Sequence, residues 1–242
     1  MHEIAEAEHH ILNPFTDEKL MLLGEICRLQ PGRQQLDLAC GKGEMLCRWA
    51  QRFGVGGVGV DISEVFVPAA RARAVELGVD ERVRFERADA SAFIANRSAY
   101  DVVSCIGATW IGDGVAGTID LMRLALRPDG LVLVGEPFWN EAPPDAAYGA
   151  MGVPPDEFVS LPATLERFES AGAELVEMVL ADGDSWDRYA AGQWWTVERW
   201  LHGNAGHPDA PAMREHLAES RASHLAYQRR YLGWGIFVLR LR

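Results

Sequence analysis

The sequence predicts an α/β fold, a parallel sheet covered by helices on both faces. Between residues 35 and 136, short runs rich in Val, Ile and Leu alternate with segments of helical periodicity. Strands buried on both faces read as such runs, and the helices between them supply the parallel crossovers. The chain of 242 residues is 48% hydrophobic and 24% charged, an ordinary balance for a globular protein. A chain of this length buries a full core without staples, and disorder, collagen and low-complexity scaffolds are excluded.

Residues 1–15 read as an acidic lead-in ending in Asn13-Pro14-Phe15. A helix is expected over 16–29. Asp17 and Glu18 suit the positive end of its dipole, Leu20, Leu23 and Cys27 form an apolar stripe, and Pro31-Gly32 stops it. Gln35 to Cys40 reads as the first strand, followed by a glycine turn and a helix from Glu44 to Arg52. Val58 to Ile62 is the second strand. The helix after it runs to Leu77 and has two candidate starts, a Ser63 cap or Pro68 at the first helical position. Val83 to Asp89, Tyr100 to Ile106 and Leu131 to Glu136 read as strands three to five, with a helix over Val115 to Leu126 ended by Pro128-Asp129-Gly130.

Residues 140–160 carry Pro143, Pro144, Pro154 and Pro155, and have Tyr148, Met151 and Phe158 to bury, so they read as an ordered insertion. A helix over Thr164 to Ala171 and a sixth strand over Glu174 to Ala181 follow. Helical pattern rich in Trp and Tyr then runs from Asp184 to Leu232, and Gly235 to Leu241 closes the chain as an apolar strand. No internal repeat and no second core is visible, so 1–242 reads as one domain.

Asp and Glu total 35 against 23 Lys and Arg, a net charge of −12. Such an excess repels phosphate backbones and argues against nucleic acid or an anionic membrane as the main partner. Cys27, Cys40, Cys47 and Cys105 lack paired metal spacing, and reduced thiols in a cytoplasmic protein are expected. No apolar run approaches the roughly 18 residues of a membrane span, and the acidic start does not resemble a signal peptide.

The sharpest local feature is Leu36-Asp37-Leu38-Ala39-Cys40-Gly41-Lys42-Gly43-Glu44, a strand running through a small-residue turn into a helix. Ligands of parallel sheets bind at the carboxyl ends of the strands. Gly41 and Gly43 lack a Cβ that would hold a ligand off, and the helix starting at Glu44 offers free N–H groups. Asp61 ends the second strand, where a carboxylate can accept from two ribose hydroxyls. Asp89 ends the third, beside the small Ala90, where it can face an adenine amino group. Asp61 and Asp89 each also read as a helix cap when taken alone; three strand-end carboxylates in order with one glycine turn make a joint signal.

On these residues the sequence resembles the class I S-adenosylmethionine (SAM)-dependent methyltransferases, most nearly their small-molecule branch. Residues 36–43 resemble the family's first motif and Gly59-Val60-Asp61-Ile62-Ser63 its second. Ala88-Asp89-Ala90 resembles the adenine motif, and Leu126 to Gly130 the turn before strand five. The chain as a whole, including Asn13-Pro14-Phe15-Thr16 and Gly107-Ala108-Thr109-Trp110, is similar to uncharacterised bacterial members. The resemblance implies a Rossmann-like sheet of seven strands, mostly parallel, with the last strand antiparallel between five and six. It implies a helical lid inserted between strands six and seven, so lid elements are expected at 1–29, 140–160 and 184–232. It implies SAM as cofactor and S-adenosylhomocysteine as product. Asp37, Ala39, Gly41 and Gly43 would lie by the methionine part, Asp61 and Ile62 by the ribose, Asp89 and Ala90 by the adenine, and Cys105 and Ile106 along the pocket. Ala39 stands where the family usually has glycine.

The expected reaction is in-line transfer of the sulfonium methyl to a small-molecule acceptor, with the protein holding the nucleophile in line and excluding water. Trp110, after strand four, is placed to shape the acceptor pocket. Glu136, at the end of strand five, is the carboxylate best placed to orient or deprotonate an acceptor, and His9 is a further candidate base. No metal site is expected. The Asn/Asp-Pro-Pro and Pro-Cys signatures of nucleic-acid methylases are missing after strand four. A monomer or homodimer is expected. The alternatives are a SAM enzyme doing cyclisation, lyase or isomerisation chemistry, and an NAD(P)-dependent oxidoreductase, although no third glycine is present to seat a pyrophosphate.

Overall fold

The computed structural model describes residues 1–242. Helix α1 spans His2–Ala5 and α2 Asp17–Ile26. Then β1 (Gln34–Leu38), α3 (Glu44–Phe53), β2 (Gly56–Asp61), α4 (Phe66–Glu76) and β3 (Val83–Arg87) alternate, followed by β4 (Tyr100–Ile106), α5 (Val115–Arg123) and β5 (Leu126–Trp139). Next come α6 (Asp145–Met151), α7 (Leu161–Ser170), β6 (Ala173–Leu180), α8 (Gly183–Gly203) and α9 (Ala210–Ser223). A π-helical turn (His224–Gln228), α10 (Arg229–Tyr231) and β7 (Leu232–Leu241) complete the chain. The seven strands form one sheet in the order β3-β2-β1-β4-β5-β7-β6. The pairs β1·β2, β1·β4, β2·β3 and β4·β5 are parallel, and β6·β7 is antiparallel. The expected Rossmann-like topology is therefore the observed one.

Local chemistry fixes the boundaries. The Ser63 hydroxyl accepts from the backbone N–H of Val65 at 3.1 Å and of Phe66 at 3.0 Å, so the serine cap decides where α4 starts and Pro68 falls inside the first turn. Helix α5 stops at Arg123, earlier than the periodicity suggests, and β5 begins at Leu126. Leu126 pairs with Tyr100 and Leu131 with Val102, so residues 127–130 are absorbed as a bulge, with Asp129 at φ +63°. The Pro-Asp-Gly triplet is thus a kink within the strand. The acidic lead-in contains a short helix that its sequence does not announce.

Two compact units emerge from the contacts. The sheet unit comprises Thr16–Glu136, Pro162–Leu180 and Gly235–Arg242; the helical unit comprises Met1–Phe15, Pro137–Leu161 and Ala181–Trp234. In the sheet unit, Leu36, Val60, Val103 and Leu133 are sealed in the core, and Trp49 of α3 donates its indole N–H to the Leu20 carbonyl of α2 at 2.9 Å. In the helical unit, Ala5, Val197, Met213 and Leu217 form a core against which Trp194 and Trp200 pack. All four cysteines are free thiols.

Candidate active site

The carboxyl ends of β2, β1, β4 and β5 are neighbours in the sheet. They bring the glycine turn, Asp61, the segment after Ile106 and Glu136 to one edge of the sheet unit. The turn after β1 is left-handed at three positions, Ala39 (φ +56°), Gly41 (φ +55°) and Gly43 (φ +69°). Ala39, where the family usually has glycine, adopts the glycine conformation. Gly43 is required by packing: a Cβ there would lie 2.4 Å from the Phe85 ring.

Asp61 is buried and is the hinge of the site. Its Oδ2 accepts the Gly41 N–H at 2.8 Å and its Oδ1 accepts the Ser63 N–H at 2.9 Å. A single carboxylate therefore ties the β1 turn to the start of the α4 loop. Ile62, the next residue, is 70% exposed. Asp89 is exposed, and its Oδ1 accepts from both the backbone N–H and the hydroxyl of Ser91, which holds its pKa below the ordinary range. Ala90 beside it is buried.

Asp37 points into the sheet. The Ser104 hydroxyl, directly across on β4, donates to Asp37 Oδ1 at 2.6 Å, and Gln35 Nε2 donates to the same hydroxyl at 3.0 Å. Burial pushes the Asp37 carboxyl up to about 7; Ser104 opposes this and the Asp61 charge adds to it. The sequence pattern does not announce Ser104, whereas Gln35 and Asp37, two polar residues two apart on the apolar β1, are a readable signal. The Cys105 side chain is fully buried, its thiol pushed up by burial with the Asp37 and Glu136 charges adding, while Ile106 is half-buried.

Glu136 is buried within β5, one residue past the Gly135–Ile106 pair that ends the β4·β5 register, and accepts a hydrogen bond from the Thr109 hydroxyl. The Thr109 carbonyl in turn accepts from the Thr118 hydroxyl at 2.7 Å, which anchors that loop to α5. Trp110, next to Thr109, is 75% exposed. His9 lies in the helical unit, with its Nδ1 3.0 Å from Glu6 Oε2 and its ring 5.2 Å from that of Tyr189. It is thus a held residue rather than a mobile one. Glu6, fully buried, also accepts from Tyr189 at 2.5 Å and from Gln193 at 2.6 Å. This network spans sequence separations that no local pattern reveals.

A family model described as a methyltransferase domain matches residues 36–130. The chain is 44% identical over 238 residues to the uncharacterized protein YjhP of Escherichia coli, covering 98% of this chain and 96% of that one. A solved SAM-dependent methyltransferase from Geobacter sulfurreducens, in complex with S-adenosyl-L-homocysteine, superposes with a TM-score of 0.95 at 45% identity, covering 99% of this chain and 97% of that one. The chain belongs to the class I SAM-dependent methyltransferases. This methyltransferase is also 34% identical over 108 residues, 45% of its length and 40% of the other's, to the 27-O-demethylrifamycin SV methyltransferase of Amycolatopsis mediterranei. No helix of the methyltransferase is long and apolar enough to cross a membrane.

Proposed function

We propose that this methyltransferase moves the methyl group of SAM to a small-molecule acceptor, with the adenosyl portion held at the tips of β1, β2 and β3. The observation that carries this reading is Asp61, a buried strand-end carboxylate locked by two backbone N–H groups beside the exposed Ile62. The residues present fit the cofactor. Each Asp61 oxygen accepts one of these backbone bonds and keeps capacity for a ribose hydroxyl. Ile62 offers an apolar face for the nucleoside, and Gly41, without a Cβ, lets a ligand approach the turn. At Asp89 the Ser91 bonds both fall on Oδ1, which leaves Oδ2 for an adenine amino group, with Ala90 beside it. Asp37 and Ala39 shape the turn next to the methionine portion, and Ile106 and the Cys105 backbone line the β4 side.

When bound, SAM supplies an electrophilic methyl group on a sulfonium leaving group. The chain holds the partners in line and keeps water out. Glu136, fixed by Thr109, orients the acceptor, and the exposed Trp110 contributes a wall of its pocket. His9, held by Glu6, has a structural role in this reading. A net charge of −12 favours a small molecule over nucleic acid, and the rifamycin-directed relative is named for a small molecule. Four free thiols suit a place inside the cell.

The test is incubation of the protein with SAM and a panel of small acceptors, followed by mass spectrometry. The expected result is S-adenosylhomocysteine in equal amount to a methylated acceptor. SAM consumed without S-adenosylhomocysteine points to other SAM chemistry, and binding of NADH without SAM overturns the reading.

A further inference from the structure

The turn after β1 is backed by an aromatic ring from the far end of the sheet. Phe85 is buried in β3, the edge strand, and pairs with Gly59 of β2, two residues short of the Asp61 tip. Its ring fills two spaces that glycines leave open. A Cβ on Gly59 would lie 2.6 Å from the ring, and a Cβ on Gly43 would lie 2.4 Å from it. The ring therefore lies directly against both backbones, one on β2 and one at the start of α3. Gly59 is not left-handed, so its backbone alone does not call for glycine. The Phe85 ring and the Cys40 thiol, 2.8 Å from the same point, do.

Helix α4 holds Phe85 in place. Arg71 donates to the Phe85 carbonyl twice, from Nε at 3.1 Å and from Nη2 at 2.8 Å. Ala70, fully buried beside it, brings its methyl group within 3.0 Å of the point where a Gly43 Cβ would stand. The turn itself is tied to β2 by the Cys40 N–H, which donates to the Val60 carbonyl at 2.9 Å, and by the Gly41 N–H on Asp61. The hydrogen bonds set how the turn is tethered, and the ring sets how closely it packs.

Protein interiors are close-packed and transmit strain, so a ring pressed on two backbones fixes the distance between them. We propose that Phe85 is a positioning residue for the cofactor: its ring sets where the turn from Gly41 to Gly43 stands, and through that turn it governs the hold on the methionine portion of SAM. This inference rests on the reading that the turn and Asp61 hold SAM. The adenosyl end is set separately, because Asp61 and Asp89 are each fixed by a backbone N–H of their own loop, Ser63 at 2.9 Å and Ser91 at 2.9 Å. Loosening Phe85 therefore acts on one end of the cofactor and not on the other.

The experiment is calorimetric titration of S-adenosylhomocysteine and of adenosine into the full-length protein and three variants. Phe85→Val removes the ring and keeps a side chain suited to a strand. It should weaken S-adenosylhomocysteine about fivefold or more and adenosine less than about twofold, since only the turn loses its packing. Gly59→Ala should also weaken S-adenosylhomocysteine, because the added methyl group displaces the ring. The double variant Phe85→Val/Gly59→Ala places that methyl group in the space the ring vacated, and should bind S-adenosylhomocysteine more tightly than either single variant. A merely structural Phe85 lowers stability without this rescue and without separating the two ligands. Equal weakening of both ligands by Phe85→Val, unchanged affinity for S-adenosylhomocysteine, or a double variant no tighter than the single ones overturns the proposal and leaves the role of Asp61 standing. No binding of S-adenosylhomocysteine by the wild type overturns both. Should a variant unfold, the Phe85 ring signals of the native chain decide: a saturable shift with S-adenosylhomocysteine and none with adenosine is expected, and a signal that stays still, or moves alike with both, contradicts the proposal.

Discussion

Gly41 donates its backbone N–H to Asp61 at 2.8 Å across 20 residues of sequence, and the same carboxylate accepts from Ser63. The nucleoside site is thus braced by the residue proposed to hold the ribose. Replacing Asp61 by Ala removes both backbone acceptors. Amide hydrogen exchange at Gly41 and Ser63 should then accelerate in the cofactor-free protein, while exchange in the core of β4 stays slow. Unchanged protection at Gly41 would show that the turn does not depend on the carboxylate.

Ala39 and Gly43, both left-handed, should respond oppositely to substitution. Ala39 at φ +56° bears the penalty of a Cβ in that region, about 1–2 kcal/mol, partly offset by the extra unfolded-state freedom of glycine. Ala39→Gly should therefore stabilise the protein by up to about 1 kcal/mol, a rise in Tm of about 2–4 °C. Gly43→Ala drives a methyl group to 2.4 Å from the Phe85 ring and should destabilise by about 1–3 kcal/mol. Thermal unfolding measures both.

Asp37 makes stability depend on pH. Its carboxyl is pushed up to about 7 by burial, from an ordinary value of 3.8, so the folded state binds the extra proton between these values. Stability from this group is fully present below about 4 and declines as pH rises toward 7. Asp37→Asn keeps an acceptor for Ser104 and cannot ionise. Its stability relative to wild type should rise between pH 5 and pH 8, as read by urea unfolding. A difference that is flat with pH would place Asp37 in a solvated setting.

Glu6 has the opposite sign. Burial raises its pKa, but bonds from His9, Tyr189 and Gln193 outweigh burial and hold the carboxyl below its ordinary 4.5. Its stabilisation is present above about 4.5 and is lost as pH falls through the folded value. Glu6→Gln replaces an acceptor by an amide that meets donors, and should cost about 1–3 kcal/mol. Limited proteolysis of residues 1–15 should accelerate at neutral pH, and the acid-dependent part of that sensitivity should flatten. Equal cleavage of both proteins would contradict the clamp.

The alternation of strands and helices over the first five strands was legible because each element carries its own period and its own punctuation. The turn from Ala39 to Gly43 and Asp61 were legible for the same reason: small residues and a carboxylate at strand ends have few other uses. Where sequence patterning stopped was at pairings set by distance. The kink at Pro128 to Gly130 reads as a helix stop until Leu126 is known to pair with Tyr100. Glu6 reads as a solvated charge until Tyr189, 183 residues away, is seen to donate to it. Nothing in the sequence marks His224, because Asp187 and Trp186 reach it only through the packing of α8 against the chain after α9.

Calorimetric titration of SAM into the wild-type protein and into Asp61→Ala tests the nucleoside site most directly. Saturable binding is expected for the wild type, with a loss in the variant of roughly 1.5–3 kcal/mol, the worth of hydrogen bonds to a charged group, which is about tenfold or more in Kd. Equal affinity in the two proteins, or no SAM binding by the wild type, would contradict the role given to Asp61.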